Sequence, residues 1–104
     1  MMYGLIAHIT AYPGKRDELI AVLVPGEGGM PGCLSYIVAR DPKNANALFV
    51  TEAWETAEAH TASLSLPDVR AAIARGRPLI AKFELMAETE PVGGIGLGTD
   101  FHNP

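Results

Sequence analysis

Cysteine, tryptophan and basic residues are scarce in this chain, and each shortage excludes something. Cys33 stands alone, so no internal disulfide can form, and the default role of its thiol is that of a small buried hydrophobe in a reducing compartment. Lys and Arg total 8 against 12 acidic residues, the formal charge is −4, and no basic run exceeds the pair Lys15-Arg16. A protein that tracks phosphate backbones needs a clustered positive surface, so no nucleic-acid partner is expected. No apolar run approaches the roughly 20 residues that a spanning helix requires, so no membrane partner is expected either. The opening MMYGLIAHITAY lacks basic residues ahead of its apolar stretch, unlike a secretory signal, and a cytoplasmic location is expected.

Metal and nucleotide motifs are missing as well. His8, His60 and His102 are spread singly, with no pair one helical turn apart, whereas zinc or iron needs three or four converging donors. The GGIGLG stretch follows a strand-like run but opens no helix, so it lacks the dipole that holds a dinucleotide phosphate. No metal, flavin or nucleotide cofactor is expected.

What is present is apolar. The 104 residues are 48% hydrophobic and 19% charged, the profile of a globular domain. A monomer of this size buries only about two-thirds of the surface its unfolded chain exposes, so the surplus hydrophobicity points to a partner surface.

The hydrophobic period changes along the chain. Tyr3 to Tyr12 reads as a strand that Pro13-Gly14 ends, and Lys15 to Val24 switches to helical spacing with Leu19, Ile20 and Leu23 on one face. The Pro and Gly run from Pro25 to Gly32 breaks that helix. CLSYIVARD (Cys33 to Asp41) and ALFVTEAWE (Ala47 to Glu55) are strand-like and flank PKNAN, a loop of turn formers, so they pair as a hairpin. Thr56 caps a short helix through His60, and Pro67 suits the first turn of a restarted helix with Val69, Ala72 and Ile73 on its apolar face. Leu79 to Thr89 is the last strand, in which Ala81, Phe83, Leu85 and Ala87 alternate with polar residues.

The order β-α-β-β-α-β predicts an α+β, ferredoxin-like domain over residues 1–90, an antiparallel sheet with its helices on one face. The glycine-rich residues 91–104 are either a loose tail or an arm against a partner. The strands carry apolar residues on both faces: Leu5, Ala7 and Ile9 alternate with Ile6, and Leu34, Tyr36 and Val38 with Ile37. Such strands are buried on both sides, and a naked apolar sheet face exceeds what a soluble monomer usually exposes. A two-fold homodimer, sheet against sheet, follows as the expectation.

The chemistry-bearing residues gather near TEAWETAEAH. Glu52 and Trp54 share strand parity and project from one face. A carboxylate beside Leu48 and Val50 is costly to bury unless it is paired or protonated, so Glu52 either reaches Arg40 and water at the sheet edge or faces a pocket. Trp54 is either core or a wall on which a planar substrate stacks. His60 carries the side chain suited to proton transfer near neutrality; it is either an exposed helix residue or a pocket acid–base. His8 shares parity with Ile6, Thr10 and Tyr12, as an interface histidine or a cavity-facing proton acceptor, and the Tyr36 phenol either donates to a substrate oxygen or fills core. His102 is placed in the tail.

EAWETAEAH, followed by SLSLPDVRAAIARGRPLIAKFE and preceded by PGCLSYIVARD, resembles the antibiotic biosynthesis monooxygenase domain of the dimeric α+β barrel superfamily. The resemblance covers roughly residues 3 to 90 and rests on PGC-L-x-Y entering the second strand, E-x-W closing the third, and the Ala-His pair on the helix behind it. It implies a dimeric barrel with one pocket per subunit between sheet and helices, and relatives that include cofactor-independent oxygenases of phenols, quinols and anthrones. Haem-degrading relatives have a longer Trp-to-His spacing than the six residues here, so a haem-ligand role is not carried to His60. The expected function is cofactor-independent oxidation of a small aromatic by dioxygen, with His60, His8 and Trp54 catalytic and Tyr36, Glu52 and Trp54 holding substrate. A non-catalytic dimeric module that binds an apolar ligand or a protein is the alternative.

Overall fold

In the computed structural model, residues 1–26 and 29–97 are described; Glu27, Gly28, His102 and the rest of the tail beyond Leu97 lie outside them. The chain runs β1 (Tyr3–Ala11), α1 (Arg16–Leu23), β2 (Cys33–Arg40), β3 (Ala47–Trp54), α2 (Ala57–Ser63), α3 (Pro67–Gly76), a 3₁₀ turn at Arg77–Leu79, and β4 (Ile80–Thr89). The four strands form one antiparallel sheet in the order β2-β3-β1-β4, so the fold is α+β and ferredoxin-like.

Local chemistry sets the boundaries. Gly14 adopts φ 79° after Pro13, a conformation that L residues avoid, and this turns β1 into α1. In the β2–β3 loop the Asp41 carboxylate accepts from the Lys43 amide (2.8 Å) and the Asn44 side chain from the Asn46 amide (2.9 Å); such side-chain turns are why Asx residues favour tight loops. Thr56 Oγ1 accepts from the Ala59 amide at 3.0 Å and starts α2. Pro67 opens α3, where its missing N–H is no loss.

One face of the sheet carries the core. Ala7, Ile9 and Ala11 of β1, Leu48 and Val50 of β3 and Leu19 of α1 form a continuous buried cluster. Leu19 is fully excluded from solvent, a burial that stabilises by about 1.5–3 kcal/mol. A Cβ on Gly76 would lie 3.5 Å from both Leu19 and Val22, so α3 docks closely on α1. All three helices lie over this face. The opposite face presents Ile6, His8, Thr10, Ile37, Phe49 and Thr51, with Ile37 54% exposed.

Strand irregularities alter two expected patterns. Register shifts leave Ala81 and Met86 of β4 without partners in β1, so two bulges form. Leu85 pairs with Ala7 but Ala87 pairs with Ile6, and these two residues therefore sit on opposite faces rather than on the shared face that strict alternation predicts. A bulge between Cys33 and Ser35 likewise brings Cys33 opposite Trp54 and Tyr36 opposite Glu52.

Candidate active site

β3 delivers Glu52 and Trp54 to the helix-covered face at its C-terminal end. Their backbone partners are Leu5 and Tyr3 on β1 and Tyr36 and Cys33 on β2. Trp54 is 1% exposed, and its indole N–H donates to Glu52 Oε1 at 2.9 Å. α2 then lays His60 over the indole: the ring centroids are 5.4 Å apart, with planes at 67°. Tyr3 closes the stack from the other side, its ring 5.4 Å from that of His60, and its hydroxyl donates to Glu88 Oε2 of β4 at 2.7 Å.

α2 can come this close because Gly32 has no side chain. Gly32 sits at φ 81°, its carbonyl accepts from the Glu55 amide at 2.8 Å, and an added Cβ would stand 2.6 Å from the Ala59 methyl. Within α2 the buried Ser63 hydroxyl donates to the His60 carbonyl at 2.6 Å and closes the helix's last turn.

The electrostatics follow from burial. Burial pushes the Glu52 carboxyl above its ordinary value, against the opposing effects of the Trp54 N–H and the His60 ring. Among the described residues no Lys, Arg or His lies within ion-pair distance of Glu52. Burial, reinforced by the Glu52 charge, also raises Tyr36 and Cys33, and the bond to Glu88 is the first cause that raises Tyr3. The phenols and the thiol are therefore neutral near pH 7, and the phenols can donate hydrogen bonds. The cluster holds one carboxylate, one imidazole and two phenols within a mostly apolar setting.

Of the residues singled out in the sequence, Glu52, Trp54, His60 and Tyr36 are brought together. His8 is not: it lies on the opposite face, its Nε2 2.9 Å from Asp41 Oδ2, its Nδ1 3.7 Å from Glu84 Oε1, and its ring 4.7 Å from that of Phe49. Its even position in β1, against the odd positions of the core residues, is the physical reason. Arg40 does not reach Glu52 either; it pairs with Asp17 of α1 at 3.3 Å. Tyr3 was missed by sequence reasoning, although it shares the odd parity of Leu5, Ala7 and Ile9, the signal that would have found it. Nothing in the sequence marks Glu88 as its partner across β1 and β4.

An open groove of about 380 Å³ runs between the start of β1, α2 and the end of β4, lined by Met1, Met2, Tyr3, Ala57, Glu58, Thr89 and Glu90. Tyr3 is shared between this groove and the aromatic stack. Among the described residues, no three His, Cys, Asp or Glu side chains converge as a metal-binding group, and no helix is long and apolar enough to cross a membrane.

An antiparallel sheet of this order, with helices on one face and an acid–aromatic cluster beneath them, defines a ferredoxin-like α+β domain. The family described as Antibiotic biosynthesis monooxygenase matches residues 2–75, and the chain belongs to it. A solved structure from Chloroflexus aurantiacus J-10-fl, named "putative Antibiotic biosynthesis monooxygenase", is 57% identical, superposes with a TM-score of 0.85, and is matched over 94% of this chain and 100% of that one. Proteins so named from Caulobacter crescentus CB15 (23% identity, TM-score 0.75, covering 88% and 91% of the two chains) and Deinococcus radiodurans (23%, 0.73, covering 95% and 100%) share the fold. No curated protein matches the chain.

Proposed function

We propose that this protein is a monooxygenase that oxidises a small aromatic substrate, a quinol, phenol or anthrone, with dioxygen and without a resident cofactor. The observation that carries the reading is the Tyr3–His60–Trp54–Glu52 array: an imidazole held between aromatic rings, backed by a half-buried carboxylate and bordered by a groove of about 380 Å³, within the size range of small-ligand pockets. Family membership supports the reaction class.

The chemistry needs little from the protein. Removal of a proton from an electron-rich phenol or anthrone gives an anion that passes an electron to dioxygen. Recombination forms a carbon–peroxide bond, and loss of water leaves a carbonyl. An anthrone ring CH₂, or a phenol or quinol ring C–H together with an O–H, gives up two hydrogens and the ring carbon becomes C=O, while both oxygen atoms of dioxygen are reduced, one retained and one released as water, so no external reductant is required. His60 takes the substrate proton. Trp54, with its N–H committed to Glu52 and its ring buried, sets the position of the carboxylate and backs the imidazole; it is not itself a free stacking surface. Tyr36 is the neutral donor suited to a developing oxyanion.

The reading includes a homodimer through the helix-free sheet face. Ile37, 54% exposed, together with Ile6 and Phe49, gives that face an apolar surface suited to a second copy.

Oxygen consumption by metal-stripped protein with menadiol and a panel of anthrones tests the reaction. Uptake above autoxidation that falls at least tenfold in His60→Ala is expected. Background rates from a folded wild-type protein would refute the oxygenase and favour a ligand-binding module.

A further inference from the structure

In this conformation the indole is 1% exposed, the His60 ring lies against it and the Tyr3 ring packs in turn on His60; Tyr3 lines the groove, whereas Trp54, Glu52 and His60 do not. Tyr3 is held there by two contacts of different kinds. Its ring packs against the imidazole at 5.4 Å, and its hydroxyl, at the rim, donates to Glu88 at 2.7 Å. The first contact can be replaced by any planar ring. The second joins β1 to β4, at the residue next to Thr89 of the groove wall, and does not involve His60. Met1 and Met2, beside Tyr3 in the groove wall, are unbranched or terminal and can yield when a ring moves.

We propose that Tyr3 is a gate to the site, latched shut by its hydrogen bond to Glu88, and that an aromatic ligand enters through the groove beside Met2 and Ala57 by taking the place of the Tyr3 ring on His60. The identity of that ligand as an oxidisable phenol rests on the function proposed above; the gate does not. A single latch bond at a partly exposed rim has a net strength that changes an open population by roughly fivefold when it is removed. The groove wall formed by Tyr3 is then a feature of the closed state, and the working pocket is the groove plus the space the ring vacates.

The test is the reactivity of His60 toward diethyl pyrocarbonate, resolved peptide by peptide by mass spectrometry, with His102 as the reference in the same chain. It is run at one pH for every variant. Tyr3→Phe keeps the ring and removes only the latch; Glu88→Ala removes the latch from the other side. Both are expected to raise the His60-to-His102 rate ratio by roughly fivefold, while Tyr12→Phe, at an exposed tyrosine outside the site, leaves it unchanged. An unchanged ratio in either latch variant overturns the gate. Menadiol oxidation by the same proteins separates the two proposals: raised His60 reactivity with no oxidation in any variant refutes the oxygenase and leaves the gate, and oxidation with an unchanged ratio does the reverse.

Discussion

Breaking the bond between Trp54 and Glu52 should be costly out of proportion to the atoms removed. Trp54→Phe deletes the pyrrole part of a ring that is 1% exposed and the N–H that donates to Glu52 at 2.9 Å. The lost volume costs of order 2 kcal/mol by analogy with large-to-small core changes. The Glu52 carboxylate then loses the donor it has in this structure, which adds about 1–3 kcal/mol. Glu52→Leu in the Trp54→Phe background removes the orphan and should recover most of that second part. The coupling measured by the four-protein cycle is expected at about 1–2 kcal/mol, the lower part of the range for bonds to charged groups because Glu52 is only half-buried. Urea denaturation at one protein concentration is the assay, since the proposed self-association would otherwise bring in mass action. In a domain of this length each kcal/mol moves the midpoint of thermal unfolding by about 4–8 °C, so melting curves give an independent reading. A coupling below about 0.3 kcal/mol, the level at which unrelated sites add, would refute the claim that the indole N–H and the carboxylate form one unit.

Four further outcomes follow from the same geometry. Because burial raises the Glu52 pKa above its unfolded value, the folded state holds that proton more tightly, and this contribution, present at acid pH, is lost as pH rises through the folded value; Glu52→Gln should therefore gain stability over wild type at neutral pH and lose that advantage below the ordinary carboxylate range of about 4, and melts showing a pH-independent difference would contradict it. The hydrogen bond with His8 lowers the Asp41 pKa, so its stabilisation is present above the ordinary carboxylate value and lost as pH falls; Asp41→Asn should flatten the acid side of the stability profile, and an unaltered acid limb would count against it. Gly32→Ala places a side chain at φ 81° with its Cβ 2.6 Å from the Ala59 methyl, and should destabilise by at least about 2 kcal/mol from the left-handed backbone and the clash together; a wild-type melting temperature would show that α2 is free to retreat. Ile37→Glu, on the helix-free sheet face, should convert a sheet-to-sheet dimer to monomer in sedimentation velocity, and an undiminished dimer would place the interface elsewhere.

Residue periodicity carried the architecture a long way. The change from period two to helical spacing after Pro13-Gly14, the Thr56 cap and the Pro67 restart each mark an element boundary that the structure reproduces within a residue or two. Parity was also enough to put Glu52 and Trp54 side by side. It failed where strands depart from strict alternation: the bulges at Ala81, at Met86 and after Cys33 are set by pairing with neighbouring strands, and no local preference in KFELMAE signals them. The site was legible only along the chain. Glu52, Trp54 and His60 lie close together in sequence, but Tyr3 reaches His60 from 57 positions away and Glu88 from the far edge of the sheet. His8 shows the converse error, since imidazole chemistry suggested a role in the cavity that its even position in β1 contradicts.

The contact between Gly32 and Ala59 works as a ruler for the whole site. The absent side chain of Gly32 and the single methyl of Ala59 set how closely α2 approaches the turn that leads into β2, and His60 follows Ala59 directly, so the height of the imidazole above the indole is decided by residues outside the aromatic stack. Any redesign for a bulkier substrate therefore starts at this spacer, because enlarging the aromatic walls while the ruler stays in place only crowds a gap of unchanged depth. A side chain added at either end would lift the helix, and the imidazole with it.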